Sequence, residues 1–524
     1  MNIWFTKLSC TNGTPFLIKI NTEVAMKRAS GILLPVSSLP SKYGIGGFSK
    51  EAFRFIDLLE KSGQSCWQIL PLGPTGYGDS PYQSFSTFAG NPYFISPETL
   101  TEEGLLTEEE CEEADASDPE APSYADYGRL YETRFVLLGK AFRRFEKKAV
   151  PEDYGDFLEE NKGWLHDYAL FMAIKSACGN HQWSLWPEEL RCRKPEALKK
   201  FAEEHAEDIR FIYFQQYEFF VQWRRLKDYA HQHGVRIIGD IPIYVAMDSA
   251  DTWSDPSLFQ FDEHLTPLGV AGCPPDAFTA DGQLWGNPLY DWERQKATGY
   301  RWWIGRMRHV MKMYDVVRID HFRGFNDYWS VPFGDRTAAG GCWKKGPGLD
   351  LFRTAKKELG KMDFIAEDLG FLTDDVIRMV KKSGFPGMKI IEFAFDGSNT
   401  NSYLPFGYDH NCVVYTGTHD NDTAAGFLKV MDRKAKGYLN RYVGHRVRDV
   451  RDLIRLAMAS TADTCIIPMQ DWLGLGNEAR INTPGTQSGN WRWRLLPGQF
   501  TEETAEEIRE MTWVYGRIPA PAGK

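Results

Sequence analysis

Several groups able to do acid–base or nucleophilic chemistry stand directly after short apolar runs. They are Asp240; Arg318, Asp320 and His321; Glu367 and Asp368; Glu392; and His419 with Asp420. Carboxylates at this density suit the cleavage of an acetal. One carboxylate attacks or stabilises the sugar carbon, while a carboxylic acid of raised pKa protonates the leaving oxygen. Taken singly, an Asp after a strand is more often a helix cap or an arginine partner. A whole set repeated over successive strands points instead to one site. Asp, Glu and His could also bind a divalent ion. Arg318, however, lies two residues before Asp320 and faces the same way along an extended chain, placing a fixed positive charge where a cation would sit.

The elements that must hold these groups are eight short, β-branched runs bounded by Gly, Pro or Asp, at residues 31–36, 66–70, 235–240, 316–320, 363–367, 388–392, 412–415 and 464–468. Such runs suit strands covered on both faces, as in parallel sheets. Helical patterns alternate with them. In residues 51–59 apolar side chains recur at i, i+3 and i+4, and residues 374–380 follow Thr373, a candidate cap. Eight strands alternating with helices, each ending in polar residues, predict the α/β class. The specific expectation is a (β/α)8 TIM barrel, favoured over a doubly wound sheet.

A barrel core needs only about 250 residues, so the 524-residue chain must carry large insertions. Residues 96–205, rich in Glu, Lys and Ala, read as an inserted helical subdomain. The barrel then occupies 26–95 and 206–524. Residues 248–291 read as a long ordered loop over the mouth. Residues 1–25 read as an extension without function. The tail after Trp493 has one more helical pattern, residues 502–511, and leaves no room for a separate C-terminal β-domain.

Composition narrows the classes. A net charge of −10, 43% hydrophobic and 25% charged residues are ordinary for a globular chain. The acidic balance argues against nucleic acid as a partner. No apolar run is long enough to cross a bilayer, and the apolar patch in residues 14–19 is too short for a signal peptide. Nine scattered cysteines without a CxxC pair predict reduced thiols in a cytosol and no structural zinc. Seventeen Trp and 14% aromatics exceed the needs of a core, and aromatic faces pack well on sugar C–H faces, although composition alone favours a rich core and only position can decide. Gly44, Gly46 and Gly47 lack dinucleotide-binding spacing and read as a turn. His231 and His233 end a helix and read as structural.

Longer motifs narrow the reading further. Leu70-Pro-Leu-Gly-Pro-Thr-Gly-Tyr-Gly-Asp-Ser-Pro-Tyr-Gln83, Gly239-Asp-Ile-Pro-Ile-Tyr-Val-Ala246, Gly272-Cys-Pro-Pro-Asp276, Leu284-Trp-Gly-Asn-Pro288, Arg318-Ile-Asp-His-Phe-Arg-Gly324, Ile365-Ala-Glu-Asp-Leu-Gly370 and Gly417-Thr-His-Asp-Asn-Asp-Thr423 occur in that order. Together they resemble the 4-α-glucanotransferases, also called amylomaltases or disproportionating enzymes, of the α-amylase clan. The resemblance runs from about Gly31 to Trp493.

It implies a retaining transfer of α-1,4-glucan segments, without metal or other cofactor. Asp320 would be the nucleophile, Glu367 the acid/base, and Asp420 the group holding the distorted donor ring. Arg318, His321 and His419 would orient the nucleophile and the donor sugar, and Asp240 would support them. Tyr82 and Trp285 match stacking positions of the family, and residues 272–276, including Pro275 and Asp276, belong to a loop that folds over the chain. Ser80, Tyr77 and Asn287 lie within the same motifs and are expected to bind substrate. Ala277 stands where an aromatic is common, so stacking from that loop is expected to be either reduced or carried by Phe278, which bears on acceptor preference. The expected partners are α-1,4-glucans and maltooligosaccharides acting on a cytoplasmic monomer or small homo-oligomer. An α-1,4-glucan hydrolase and a non-catalytic glucan-binding barrel are the alternatives, and a metal-dependent barrel enzyme is a third.

Overall fold

A computed structural model describes residues 28–518 apart from Tyr77, Ala116, Ala121, residues 276–279, Phe371 and Gln487. The described residues form twelve strands: β1 (Ala29–Leu33), β2 (Cys66–Gln68), β3 (Arg236–Ile241), β4 (Gly269–Cys273), β5 (Gln283–Pro288), β6 (Val316–Ile319), β7 (Asp327–Pro332), β8 (Cys342–Lys345), β9 (Phe364–Ala366), β10 (Gly387–Ile390), β11 (Cys412–Tyr415) and β12 (Thr464–Pro468).

Eight of them run parallel in the order β10-β11-β12-β1-β2-β3-β6-β9. The Ala366 N–H donates to the Pro386 carbonyl at 2.9 Å, joining β9 to the start of β10 and closing the sheet into a barrel. All eight apolar runs read from the sequence are these eight strands. Helices line the outside, so both faces of each strand are buried.

Alternation along each strand decides what reaches the mouth. Leu33, Cys66, Ile238, Ile365, Met388, Ile390, Val413, Tyr415 and Ile466 pack together as one apolar cluster inside the barrel. Their neighbours Ile32, Trp67, Ile237, Phe364, Val414 and Ile467 pack outward in the main core under the helices. Continuing the inward register by two residues gives Asp240 after Ile238, Glu367 after Ile365 and Glu392 after Ile390. Val316 also packs on the inner cluster, so Arg318 and Asp320 continue the same register. The strand-end carboxylates are therefore inward-facing residues that have run out of barrel core.

Asp368 falls out of this register. Its Oδ1 accepts the Met388 N–H at 2.7 Å, so it serves the neighbouring strand.

The helix Lys50–Lys61 buries Ala52, Phe55, Ile56, Leu58 and Leu59, the face its periodicity requires. The helix Asp374–Ser383 begins after Thr373, but the Thr373 hydroxyl makes no capping bond. Between β2 and β3 lie several helices ending in the 27-residue Ala206–Gln232. This helix spans two cores. Ile209 and Ile212 join a small cluster with Phe171 and Trp253, whereas Phe214 and Phe219 join the main one.

Residues 248–291, expected as an ordered loop, contribute β4 and β5. β4 pairs antiparallel with β5 and with β7, and β7 with β8, in a four-stranded sheet ordered β5-β4-β7-β8. The tail carries the helix Glu502–Val514, and among the described residues after β12 there is no strand. Among the described residues no helix is long and apolar enough to cross a membrane.

Candidate active site

The inward register of β3 and β6 sets Asp240 opposite Arg318. The Arg318 guanidinium uses both ends: Nη1 donates to Asp240 Oδ2 at 2.7 Å and Nη2 to Asp320 Oδ1 at 3.0 Å. Arg318 and Asp240 are buried, with side chains 3% and 0% exposed, while Asp320 keeps 29% exposure toward the mouth. The two carboxylates thus differ in role by position. Asp240 is a buried support, and Asp320 retains Oδ2 for a ligand. Asp240 and Asp320 both raise the Arg318 pKa, so the guanidinium stays charged although burial opposes it.

Glu367 ends β9 beside this pair. Its Oε2 accepts the His321 N–H at 2.7 Å and its Oε1 accepts the Leu369 N–H at 2.8 Å. These donors and Arg318 favour the carboxylate. Burial and the negative charge of Asp320 oppose them and win, pushing the Glu367 pKa up to about 8. To present its N–H, His321 adopts φ 49° and ψ 48°, the left-handed region. That conformation costs a non-glycine residue about 1–2 kcal/mol. The His321 ring, pressed edge-on against Trp285 with centroids 4.8 Å apart, has its pKa pushed down to about 4 by burial.

The second half of the mouth comes from the turns after β2 and β11. The Tyr82 phenol donates to Asp240 Oδ2 at 2.9 Å and lies 3.0 Å from His419 Nε2. With its proton given to Asp240, the phenol oxygen is left to accept from Nε2–H. The two rings stack at 5.3 Å and 17°. Asp420, more open than its neighbours, receives the Asn482 side-chain amide on Oδ1 at 2.6 Å and has its other oxygen 3.4 Å from His419 Nε2. Arg480 donates to the Asp420 carbonyl at 2.7 Å and pairs with Asp422.

Of the residues singled out from the sequence, Asp240, Arg318, Asp320, His321, Glu367, Tyr82, His419, Asp420 and Trp285 are linked by these contacts. Asn287 is buried, giving its amide N–H to the Val245 carbonyl at 2.7 Å and accepting from Gln83 at 3.2 Å. Ser80 caps its own turn through the Tyr82 N–H, and Pro275 is exposed. Tyr77, Asp276, Ala277 and Phe278 lie outside the described residues.

Three partners escaped the sequence reading. Arg480 and Asn482 brace Asp420 from the segment after β12, and Trp491 packs on both Tyr82 and His419 at 5.7 and 5.9 Å. The only signal was their place after the last barrel strand. His231 is exposed and His233 half-buried, and they pair with Asp315 and Glu60, away from the mouth.

The chain as a whole is similar to known proteins. A family model described as 4-alpha-glucanotransferase matches residues 34–499. The chain is 49% identical over 490 residues to the 4-alpha-glucanotransferase of Clostridium butyricum, covering 92% of this chain and 99% of that one. It is 45% identical over 506 residues to the enzyme of the same name from Thermus thermophilus, covering 94% and 100%. Its fold matches an amylomaltase from Streptococcus agalactiae in complex with acarbose, with a TM-score of 0.91, 41% identity and coverage of 94% and 99%.

Proposed function

The chain belongs to the 4-alpha-glucanotransferase family, and from that premise we propose how Asp320, Glu367 and Asp420 divide the work of moving an α-1,4-glucan segment to a new acceptor. Asp320 attacks the anomeric carbon of the donor through Oδ2, since Arg318 occupies Oδ1. The bond from that carbon to the leaving oxygen breaks, and Glu367 gives its proton to that oxygen. The departing glucan leaves a glucosyl ester on Asp320. Glu367, now a carboxylate, takes the proton from the 4-hydroxyl of an acceptor sugar. The acceptor oxygen attacks the same carbon, Asp320 is released, and two inversions give net retention. Asp420 holds the donor ring by its hydroxyls, with Asn482 fixing its Oδ1.

One observation carries this division. Glu367 keeps its proton to about pH 8 in a buried site, whereas its neighbour Asp320 is bound to a guanidinium. Two carboxyls held in such different surroundings are suited to acid and nucleophile roles respectively. Trp285, standing over His321, supports stacking of a sugar ring at the mouth. The eight described cysteines are all free thiols, which supports a reducing cytosolic setting.

Incubation with maltotriose tests the reaction. Glucose together with chains longer than maltotriose is the expected outcome, because a sugar resolves the ester. Products no longer than the substrate would contradict transfer.

A further inference from the structure

One carboxyl in the inward register has no part in the chemistry above. Glu392 follows β10, is buried, and its Oε1 reaches no hydrogen-bond donor. What it touches is loop backbone. A Cβ on Gly417 would stand 2.9 Å from Glu392 Oε1 and 3.3 Å from its Cδ, so the carboxyl head packs against that glycine. The Glu392 N–H donates to the Thr416 carbonyl at 3.1 Å. Thr416 and Gly417 lead into the turn that carries His419 and Asp420.

Asp471 anchors the other side of that turn. It accepts the Thr416 hydroxyl and, at 2.8 Å, the Ala424 N–H. The charged groups facing Glu392 are Asp471, Asp422 and Arg480. Arg480 is already paired with Asp422 and with the Asp420 carbonyl, so no cation is left for another anion. A buried carboxylate oxygen without a donor, facing two acids, is costly, and a group so placed neutralises instead. Burial and the two acids accordingly push the Glu392 pKa well above the ordinary carboxylate range.

We propose that Glu392 is a positioning residue: a neutral carboxylic acid wedged against Gly417 that sets the turn presenting His419 and Asp420 to the donor sugar. Ionisation adds a second buried negative charge behind that turn and displaces it. The inference rests on the reading of Asp420 as the group that holds the donor ring.

The test measures acarbose affinity by calorimetry on the full chain from about pH 7 to pH 10, in the E367Q background, which removes the titration of Glu367. Affinity in E367Q is expected to fall roughly tenfold on the alkaline side, while E367Q/E392Q stays level within about twofold. In the otherwise native chain, E392A is expected to raise KM for maltotriose about tenfold with a smaller change in kcat, and E392Q to restore it. Level affinity in E367Q, an equal alkaline fall in both variants, or E392Q as impaired as E392A would each overturn the proposal. E367Q keeps Glu392, and E367Q/E392Q replaces it with a side chain of the same shape, so the alkaline comparison decides the matter even where E392A fails to fold. D420N separates the two readings: unchanged acarbose affinity in that variant would remove the role given to Asp420, whatever the alkaline comparison gives.

Discussion

The backbone N–H of His321 donates to Glu367 Oε2 at 2.7 Å. Because His321 is bonded to Asp320 through the chain, this contact ties the end of β6 to the end of β9. Asp320 and Glu367 are therefore joined through one backbone hydrogen bond. The left-handed backbone at His321 is the cost of turning that N–H toward β9.

The pH response follows from Glu367. Its pKa of about 8 lies far above the ordinary glutamate value, and only the protonated form can serve the first step. Above about pH 8, glucan transfer should fall roughly tenfold per pH unit. Stability has the same sign. The folded state binds this proton more tightly than the unfolded chain, so its contribution declines as pH rises from about 4.5 toward 8 and then levels off. E367Q should lower kcat by about 100- to 10,000-fold and flatten that stability decline, as denaturant unfolding across pH would show.

Arg318 serves structure and chemistry together. Its removal leaves Asp240 buried beside Asp320 without the guanidinium. R318A should cost about 3–5 kcal/mol of stability, because a buried charge loses its partner. R318K should recover part of that but little activity, since one ammonium cannot bridge both carboxylates as the planar fork does. Urea titration and steady-state kinetics on both variants check the pair.

Tyr82 links Asp240 to His419 through one hydroxyl. Y82F keeps the ring stack but leaves two buried polar groups short of a partner, at about 1–3 kcal/mol. A fall in kcat/KM of about ten- to hundredfold with maltotriose is expected, with little change in the far-UV circular dichroism spectrum.

Asn482 holds Asp420 Oδ1 at 2.6 Å. Hydrogen bonds to a charged group contribute about 1.5–3 kcal/mol. N482A should therefore weaken acarbose binding by at least about tenfold. Unchanged affinity would show that Asp420 keeps its place without this amide.

The barrel and most of the mouth were legible in the sequence for one reason. A strand buried on both faces leaves an unbroken apolar run, and an acid at its end stands out. That logic located Asp240, Asp320, Glu367 and Glu392 and implied that Arg318 and Asp320 share a face.

It failed where pairing is distant or exposed. Cys342–Lys345 is exposed along its whole length, so β8 shows no alternation, and β4 meets β7 only across about fifty intervening residues. Arg480 and Asn482 gain their meaning from a turn about sixty residues earlier, which no local pattern encodes. Asp368 looked like a site acid because it adjoins Glu367, yet the twofold alternation of the strand turns it toward Met388 instead. Thr373 has the residue type of a cap, but its hydroxyl makes no capping bond.

Trapping the glucosyl ester tests the central claim most directly. E367Q is supplied with α-maltotriosyl fluoride, whose fluoride leaves without an acid, and the missing base slows release of the ester. Peptide mass spectrometry is then expected to find the maltotriosyl group on Asp320 and to find none in the E367Q/D320N variant. The same adduct on another side chain, or its persistence without Asp320, would contradict the account.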